Sequence, residues 1–250
     1  MTEPVLAIEG LSKRFGALTV TDGVGFEVRP GEIHALIGPN GAGKTTLIQQ
    51  LCGRLVPDAG TIRFLGEDIT RLPAHRRAQR GLARTFQITH LLPGFTVLQN
   101  VATAVQRRRG SSFRFFRAAG RDPDLNAAAQ ALLARTGLAA RATTPAGALS
   151  HGEKRQLELA MALALEPKLL VLDEPMAGTG REETARLVEL LKGLAGGLPM
   201  ILVEHDMSAV FALADRISVL VYGRIIATGA PDEIRASPEV RAAYLGEEAA

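Results

Sequence analysis

The pattern of hydrophobic and polar positions divides the chain into three stretches. In the first stretch, short apolar segments are separated by turns rich in glycine and proline, and they predict strands at 5–9, 25–28, 33–37 and 61–64. Residues 45–55 instead carry apolar side chains at helical intervals, which predicts a helix. Strands therefore dominate the first part of the chain.

The middle stretch is rich in alanine and leucine at helical spacing. It predicts helices at 98–107 and 125–136, within a helical insertion at about 96–150. The segment 110–117 between these helices is aromatic and basic. Two interpretations of this segment stay open: a solvated linker whose phenylalanines tuck against the helices, or a surface that contacts a partner subunit.

In the last stretch, helices alternate with apolar strands. The predicted helices are 155–165, 182–194 and 208–214, and the predicted strands are 169–172, 200–203 and 217–220. Runs such as LLVL and MILV lack polar alternation, as expected for parallel strands covered on both faces. The tail predicts a hairpin strand at 224–228, followed by short helices over 231–244.

Together these patterns predict an α/β fold in one domain over 1–250. We expect a core of 1–95 and 151–250 that includes a β subdomain, with a helical subdomain at about 96–150. A chain of 250 residues that is 46% hydrophobic can bury one sizeable core, and no internal repeat divides it.

Charge and cysteine content narrow the functional classes. The formal charge of +3 comes from 29 basic and 26 acidic residues, and the basic residues are dispersed except for Arg76, Arg77, Arg80 and 107–109. That is too little for a nucleic-acid partner. The single cysteine, Cys52, fits a reducing compartment. The chain shows neither a signal-like start nor an apolar run of about 18 residues, so we expect a cytoplasmic protein that does not span a membrane.

Residues 38–46 form a candidate phosphate-binding loop, GPNGAGKTT, between a predicted strand and a predicted helix. Glycines let backbone N–H groups converge on a phosphate, and the helix start adds its positive dipole end. Lys44 is placed to reach the β- and γ-phosphates, and the Thr45 hydroxyl to coordinate Mg²⁺. A glycine-rich turn without a ligand would not explain the lysine. The residues expected to bind nucleotide are Gly38, Asn40, Gly41, Gly43, Lys44, Thr45 and Thr46.

Two adjacent carboxylates follow the apolar strand at 169–172. Ligands of open α/β sheets bind at the carboxyl ends of the strands, where Asp173 and Glu174 are expected. Asp173 is a candidate for the Mg²⁺ shell, and Glu174 for the base that accepts a proton from the attacking water or orients it. The alternative is that both simply end a strand in a solvated loop.

The segment 149–156, LSHGEKRQ, predicts a helix start. Ser150 and Glu153 have the spacing of a capping box, in which each side chain bonds the other residue's N–H. A cap does not explain Gly152, because glycine in a helix costs about 1 kcal/mol relative to alanine. Close approach of the backbone to an anion would explain it.

The order of these parts resembles the ATP-binding subunits of ABC transporters, over about residues 5–246. The resemblance implies a P-loop NTPase (RecA-like) α/β core, with an N-terminal antiparallel β subdomain and an inserted α-helical subdomain. It also implies ATP and Mg²⁺ as ligands. In this family the segment at 149–156 contacts the γ-phosphate of ATP on a second ATPase subunit, through positions matching Ser150 and Gly152. The chain departs from the commoner LSGGQ at His151 and Glu153.

Three other positions match the family's pattern. Phe15 resembles the aromatic residue that stacks on adenine, although a core phenylalanine is the alternative. Gln87 resembles the glutamine that contacts Mg²⁺ or the lytic water, and His205 resembles the switch histidine that bonds the γ-phosphate. The stretch 177–180 lacks the family's usual aspartate, which puts a cross-dimer role there in doubt.

The segments LSHGEKRQLELA, VEHDM and SPEVRAAYLGEE resemble the ATPases of branched-chain amino-acid importers. This resemblance implies a second ABC ATPase subunit, transmembrane permease subunits, an extracytoplasmic solute-binding protein, and a peripheral location on the cytoplasmic face of the membrane. The alternatives are an ATPase of a urea or amide importer, an ATPase of a lipopolysaccharide exporter, a soluble ABC ATPase, and a subunit that holds ATP without hydrolysing it.

Overall fold

The computed structural model describes residues 3–85, 91–108 and 122–243. Two sheets organise these residues. The four-stranded antiparallel sheet has the order β2-β1-β4-β5, and its strands are β1 (Leu6–Phe15), β2 (Leu18–Val28), β4 (Ala59–Phe64) and β5 (Glu67–Asp68). The six-stranded sheet has the order β10-β9-β3-β8-β7-β6, and its strands are β3 (Ile33–Ile37), β6 (Leu82–Arg84), β7 (Leu169–Asp173), β8 (Met200–Val203), β9 (Arg216–Val221) and β10 (Arg224–Gly229).

The larger sheet is parallel except for β10, which pairs antiparallel with β9. Every residue of β3, β7 and β8 is buried, as the lack of polar alternation predicted. Successive side chains of a strand point to opposite faces. Thus Leu170 and Leu172 of β7 face one core cluster, and Leu169 and Val171 face another.

The helices of the core cover both faces of this sheet. They are α1 (Lys44–Leu51), α2 (Ala74–Gln79), α5 (His151–Leu163), α6 (Arg181–Leu194), α7 (Met207–Leu213), α8 (Pro231–Ala236) and α9 (Pro238–Ala243). The buried residues of α1 share one cluster with residues of both sheets, so α1 lies between the sheets. Helices α5, α6 and α7 pack on the opposite face of the parallel sheet.

Two further helices, α3 (Val97–Arg108) and α4 (Pro123–Arg135), form a third apolar cluster together with α5. The predicted fold class is therefore confirmed: an α/β core carries an antiparallel β subdomain and an inserted helical subdomain. No helix in the described ranges has both the length and the apolar character needed to cross a lipid bilayer.

Several predicted boundaries are wrong. The predicted strand 5–9 extends as β1 through Gly10, whose φ of +62° lies at an irregularity in the pairing with β2. Helix α1 ends at Leu51 rather than at residue 55, and Gly53 follows with a φ of +70°. The pattern missed α2, β5 and β6, because such short elements show no complete hydrophobic period.

Candidate functional site

The phosphate loop runs from the end of β3 to the start of α1. Gly38, Gly41 and Gly43 have φ values of +154°, +79° and +106°. A Cβ on Gly38 would lie 2.0 Å from the carbonyl oxygen of Leu220, and one on Gly43 would lie 2.5 Å from that of Val20. Position 41 has open space around it, so there only the backbone conformation favours glycine. At positions 38 and 43, glycine is therefore required partly because a side chain would collide with neighbouring backbone of the same chain.

Strand β9 and the turn after it support this loop from behind. The N–H of Gly223 donates to the carbonyl of Ala42 at 2.9 Å, and the N–H of Asp22 donates to the carbonyl of Gly223 at 2.8 Å. A Cβ on Gly223 would meet the carbonyl oxygen of Val20 at 2.6 Å. Residues about 180 positions apart in the chain therefore hold the loop in shape.

Lys44 is the first residue of α1, and no side chain caps this helix start. Its Nζ donates to the carbonyls of Gly38 at 2.5 Å and Pro39 at 3.0 Å, so the ammonium group lies over the loop. Burial lowers the pKa of Lys44, and the negative charges of Glu174 and Asp173 oppose that shift. Backbone N–H groups, the helix dipole and this cation thus converge where a phosphate would bind.

The two predicted carboxylates stand at the carboxyl end of β7. Asp173 is buried, and the N–H of Glu174 donates to the carbonyl of Val203 at 2.8 Å. Glu174 has a φ of +48°, a left-handed conformation that is uncommon for a residue with a Cβ. Such backbone conformations occur preferentially at functional sites.

Arg84 is a residue of this site that sequence reasoning missed. Its Nη2 donates to Oδ2 of Asp173 at 2.5 Å, and only 11% and 6% of the two side chains are exposed. Its Nε and Nη1 are buried without a hydrogen-bond partner in the described part of the chain. No signal in the sequence indicated this pair, because Arg84 ends β6, a strand of three residues that the pattern did not predict.

These residues fit a nucleoside triphosphate with a hard cation. The threonine hydroxyl and the aspartate carboxylate are oxygen donors, which Mg²⁺ prefers. Within the described ranges, no three His, Cys, Asp or Glu residues gather into a metal cluster. Mg²⁺ commonly binds through one or two protein ligands together with substrate phosphates. Thr45, exposed at the start of α1, and Asp173 match that pattern.

The capping box at the start of α5 is confirmed. The N–H of Glu153 donates to Oγ of Ser150 at 3.2 Å, and the N–H of Ser150 donates to Oε2 of Glu153 at 2.9 Å. The N–H of Ser150 and the Arg141 guanidinium hold the pKa of Glu153 below its ordinary value despite partial burial. Nε of Arg141 donates to Oε1 of Glu153 at 2.7 Å. His151 is the first residue of α5 and has no positive φ, so it replaces a glycine here without backbone strain.

Gly152 has a packing reason that the sequence did not reveal. A Cβ at this position would lie 2.5 Å from Cδ of Glu183, whose carboxylate rests against the first turn of α5. Oγ of Ser150 donates to Oε1 of Glu183 at 3.1 Å. An anionic group therefore does approach the backbone at Gly152, and it belongs to the same chain.

Two further predicted residues, Phe15 and His205, have exposed side chains next to strand ends. Phe15 ends β1 with 51% of its surface exposed and Lys13 Nζ 5.7 Å from its ring centroid, so the core alternative is wrong. His205 follows β8, and its side chain is 64% exposed. The buried Glu204 accepts from the N–H groups of His205 at 3.1 Å and Met176 at 2.7 Å, and burial raises its pKa.

Two predicted features lie outside the described residues: Gln87, and the aromatic and basic segment 110–117. In the stretch without the family's aspartate, Oγ1 of Thr179 donates to the carbonyl of Met176 at 2.7 Å and lies 2.8 Å from Oγ1 of Thr184. Thr179 thus links the loop after β7 to the first turn of α6.

Comparisons with known proteins agree with this geometry. A family model described as ABC transporter matches residues 21–177, and one described as branched-chain amino acid ATP-binding cassette transporter matches residues 224–250. The high-affinity branched-chain amino acid transport ATP-binding proteins BraF of Pseudomonas aeruginosa and LivG of Escherichia coli are each 38% identical, and each match covers 99% of this chain and 100% of the relative. The sulfate/thiosulfate import ATP-binding protein CysA 2 of Chromobacterium violaceum is 37% identical, over 97% of this chain and 63% of that protein.

Solved structures give the same result. The ADP conformation of MJ1267, an ATP-binding cassette of an ABC transporter, superposes with a TM-score of 0.86 at 30% identity, over 98% of this chain and 100% of that chain. A nucleotide-free cassette from an ABC transporter has a TM-score of 0.83 at 27% identity, over 97% and 99% of the two chains. With its phosphate loop, acidic pair and capped α5 in the arrangement described above, the chain belongs to the ABC transporter family, as an ATP-binding cassette that hydrolyses ATP.

Proposed function

We propose that this ATPase drives the import of branched-chain or related amino acids, as a peripheral subunit on the cytoplasmic face of a membrane. The observation that carries the proposal is full-length similarity to BraF and LivG, together with the match at 224–250. Identity to the sulfate/thiosulfate protein is nearly as high, but the chain spans only 63% of that relative. Coverage and the C-terminal segment therefore favour amino acids over other solutes.

In this proposal, the phosphate loop binds the triphosphate of ATP. The loop's backbone N–H groups and the first turn of α1 hold the phosphates, and Lys44 leaves the carbonyls of Gly38 and Pro39 to contact the β- and γ-phosphates. Phe15, already exposed, stacks on the adenine ring. Asn40 and Thr46 complete the nucleotide contacts, which include the glycines of the loop.

Thr45, Asp173 and Gln87 are the residues proposed to hold Mg²⁺, which supplies charge neutralisation at the phosphates. Arg84 fixes Oδ2 of Asp173 and thereby orients this carboxylate. Glu174 accepts a proton from the attacking water or positions it. His205 bonds the γ-phosphate. Positioning and electrostatics carry the chemistry.

The signature segment is proposed to serve a second ATPase subunit. Ser150 and Gly152 contact the γ-phosphate of ATP bound by that subunit, so two sites form at a head-to-tail interface. The second subunit is either a copy of this chain or a relative of similar fold. ATP closes the pair, and hydrolysis with phosphate release reopens it.

An apolar groove of about 270 Å³ is the proposed contact with the permeases. It lies between the helical subdomain and the sheet edge at β6, and its apolar lining comes from Leu91, Ala104, Met161 and Leu165. Thr85, which also lines the groove, comes just before the stretch that holds Gln87. A permease segment bound in this groove would lie against Arg84, which bonds the Asp173 carboxylate of the catalytic site. A solute-binding protein acts from the other side of the membrane.

The experiment that tests the proposal is to purify the chain with its permeases, its partner ATPase and the solute-binding protein, and to measure ATP hydrolysis with candidate solutes. We expect stimulation by leucine, isoleucine or valine, and none by urea or sulfate. Stimulation by urea alone would replace amino-acid import with amide import. Hydrolysis that ignores every solute, in a chain that purifies without permeases, would favour a soluble ATPase.

Two variants in the same complex test the site roles. Lys44→Ala removes the phosphate-binding cation and should weaken ATP binding at least about tenfold. Glu174→Gln keeps the side-chain shape but cannot accept the proton, so ATP binding should remain while turnover falls by about 10² or more. Equilibrium binding of a fluorescent ATP analogue separates the two effects. Normal steady-state hydrolysis by the glutamine variant would contradict the role of Glu174.

A further inference from the structure

The carboxylate of Glu183 lies on the surface that the proposed function gives to the partner subunit's ATP. It accepts from Oγ of Ser150 at 3.1 Å, and its Cδ would be 2.5 Å from a Cβ on Gly152. Both residues are the proposed γ-phosphate contacts. The first N–H groups of an α-helix have no partner within the helix and favour an anion. Glu183 therefore places a carboxylate against the first turn of α5, on the hydroxyl of Ser150.

Helix α6 holds Glu183 there. It is the third residue of α6, and its Oε2 lies 3.4 Å from the N–H of Gly180, which is the return half of a capping box. Gly180 has no side chain to supply the other half. Oε2 of Glu183 thus contacts the start of α6, and Oε1 contacts Ser150 at the start of α5.

The surrounding charges do not neutralise this carboxylate in the described structure. Glu183 shares a cavity of about 190 Å³ with Arg141 and Arg186. Arg141 bonds Glu153 at 2.7 Å, and Arg186 bonds Glu182 at 3.4 Å. A γ-phosphate that reached Ser150 would meet a second anion on the same hydroxyl, and like charges at such distances repel.

We propose that Glu183 is a positioning residue for the signature surface, an inference that rests on the proposed role of Ser150 and Gly152. Its carboxylate accepts a hydrogen bond from the Ser150 hydroxyl, which is one of the groups proposed to bind the partner's γ-phosphate. It must leave before the partner's ATP can bind. Arg186 lies one turn further along α6 and can receive the displaced carboxylate. The Glu183 contact thus opposes closure of the ATP-bound dimer.

The test compares ATP-driven dimerisation of chains that carry Glu174→Gln, which prevents turnover. Glu183→Gln removes the charge and keeps an acceptor for the N–H of Gly180, so α6 still begins normally. Glu189→Gln is the matched control, because Glu189 is an exposed carboxylate on α6 that pairs with Lys192 and takes no part in the contacts of Glu183. Sedimentation at increasing protein concentration, with saturating ATP, gives the dimerisation midpoint. If the second subunit is a different ATPase, that subunit is titrated instead.

We expect Glu183→Gln to lower the dimerisation midpoint about three- to tenfold, since hydrogen bonds to charged groups are the stronger ones. The control should leave the midpoint unchanged. ATP binding by dilute monomer should be the same in all three chains, because the phosphate loop does not include Glu183. An unchanged or higher midpoint for Glu183→Gln would overturn the inference.

A second measurement decides the matter if no ATP-dependent dimer forms, a result that would contradict the proposed dimer itself. In chains carrying Lys44→Ala, inorganic phosphate is titrated while the amide resonances of Ser150 and Gly152 are followed by NMR. With Glu183→Gln these resonances should respond at lower phosphate concentration than with Glu183 in place. Equal responses would show that the carboxylate does not compete for this surface.

Discussion

Arg77 is a buried arginine held by main-chain carbonyls. Its guanidinium donates to the carbonyls of Gln50 at 2.8 Å and Leu51 at 2.6 Å, and also to those of Thr70 and Leu72. The first two carbonyls end α1, whose other end is the phosphate loop. Arg77 therefore anchors the helix that positions the nucleotide-binding backbone.

Replacing Arg77 should destabilise the whole protein. Arg77→Met keeps the side-chain length but leaves four carbonyls without this donor, so we expect the free energy of unfolding to fall by about 3 kcal/mol or more. Urea unfolding followed by circular dichroism measures it. Arg76→Met, on the exposed neighbour, should change it by less than about 0.5 kcal/mol. Equal effects of the two variants would refute the anchoring role.

Sequence reasoning worked at residues whose chemistry is local and failed where partners come from distant segments. The capping box needs only Ser150 and Glu153, three positions apart, and its geometry was predicted in full. Arg77 looked like part of a basic cluster, because its acceptors lie up to 27 residues away. Gly152 was linked to an anion, but the anion in contact with it, Glu183, comes from another helix.

At the scale of elements, Glu153 accounts for one departure from the common signature sequence. A glutamine could also close the capping box, but it could not form the ion pair with Arg141, where the two side chains are 54% and 23% exposed. The ion pair thus connects the segment before α5 to the first turn of α5. Because both side chains are exposed to solvent, this ion pair contributes less than about 1 kcal/mol to the free energy of unfolding.

The ion pair predicts a pH-dependent stability difference. Glu153→Gln should lower the free energy of unfolding by less than about 1 kcal/mol at pH 7. The folded state lowers the pKa of Glu153, so its contribution is full above the ordinary glutamate value of 4.5 and is lost as the pH falls through the lowered pKa. Urea unfolding at several pH values tests this. Glu189→Gln, which removes an exposed pair with Lys192, is the control. A difference that grows in acid would contradict the assignment.

Element prediction succeeded where the hydrophobic period is long. Helices such as α4 and α6 and the fully apolar strands β7 and β8 were predicted within a few residues of their bounds. Strand β6 was not, because its three residues cannot display a period, and its existence depends on pairing with β7. That miss hid Arg84, and with it the ion pair to Asp173.

At the scale of the whole molecule, the permease groove predicts a separation between catalysis and coupling. Leu165, 38% exposed, lines the groove, so Leu165→Asp should leave ATP binding and hydrolysis by the free chain nearly unchanged. In the assembled complex it should reduce solute-stimulated hydrolysis about tenfold, because a charge would have to enter an apolar contact. Val56→Asp alters an exposed residue outside the groove lining and is the control. Equal loss in both variants would argue against this groove.

The support of the phosphate loop by the last strands has a consequence for synthesis of the chain. Residues 38–46 leave the ribosome about 180 residues before the backbone of Leu220 and Gly223, which shapes the loop. Domains fold as they are synthesised, from the N-terminal side. A nascent or C-terminally truncated chain that lacks β9 carries every residue of the loop and still lacks the surface against which it folds. Competence to bind ATP thus reports that translation has passed β9 and the turn after it.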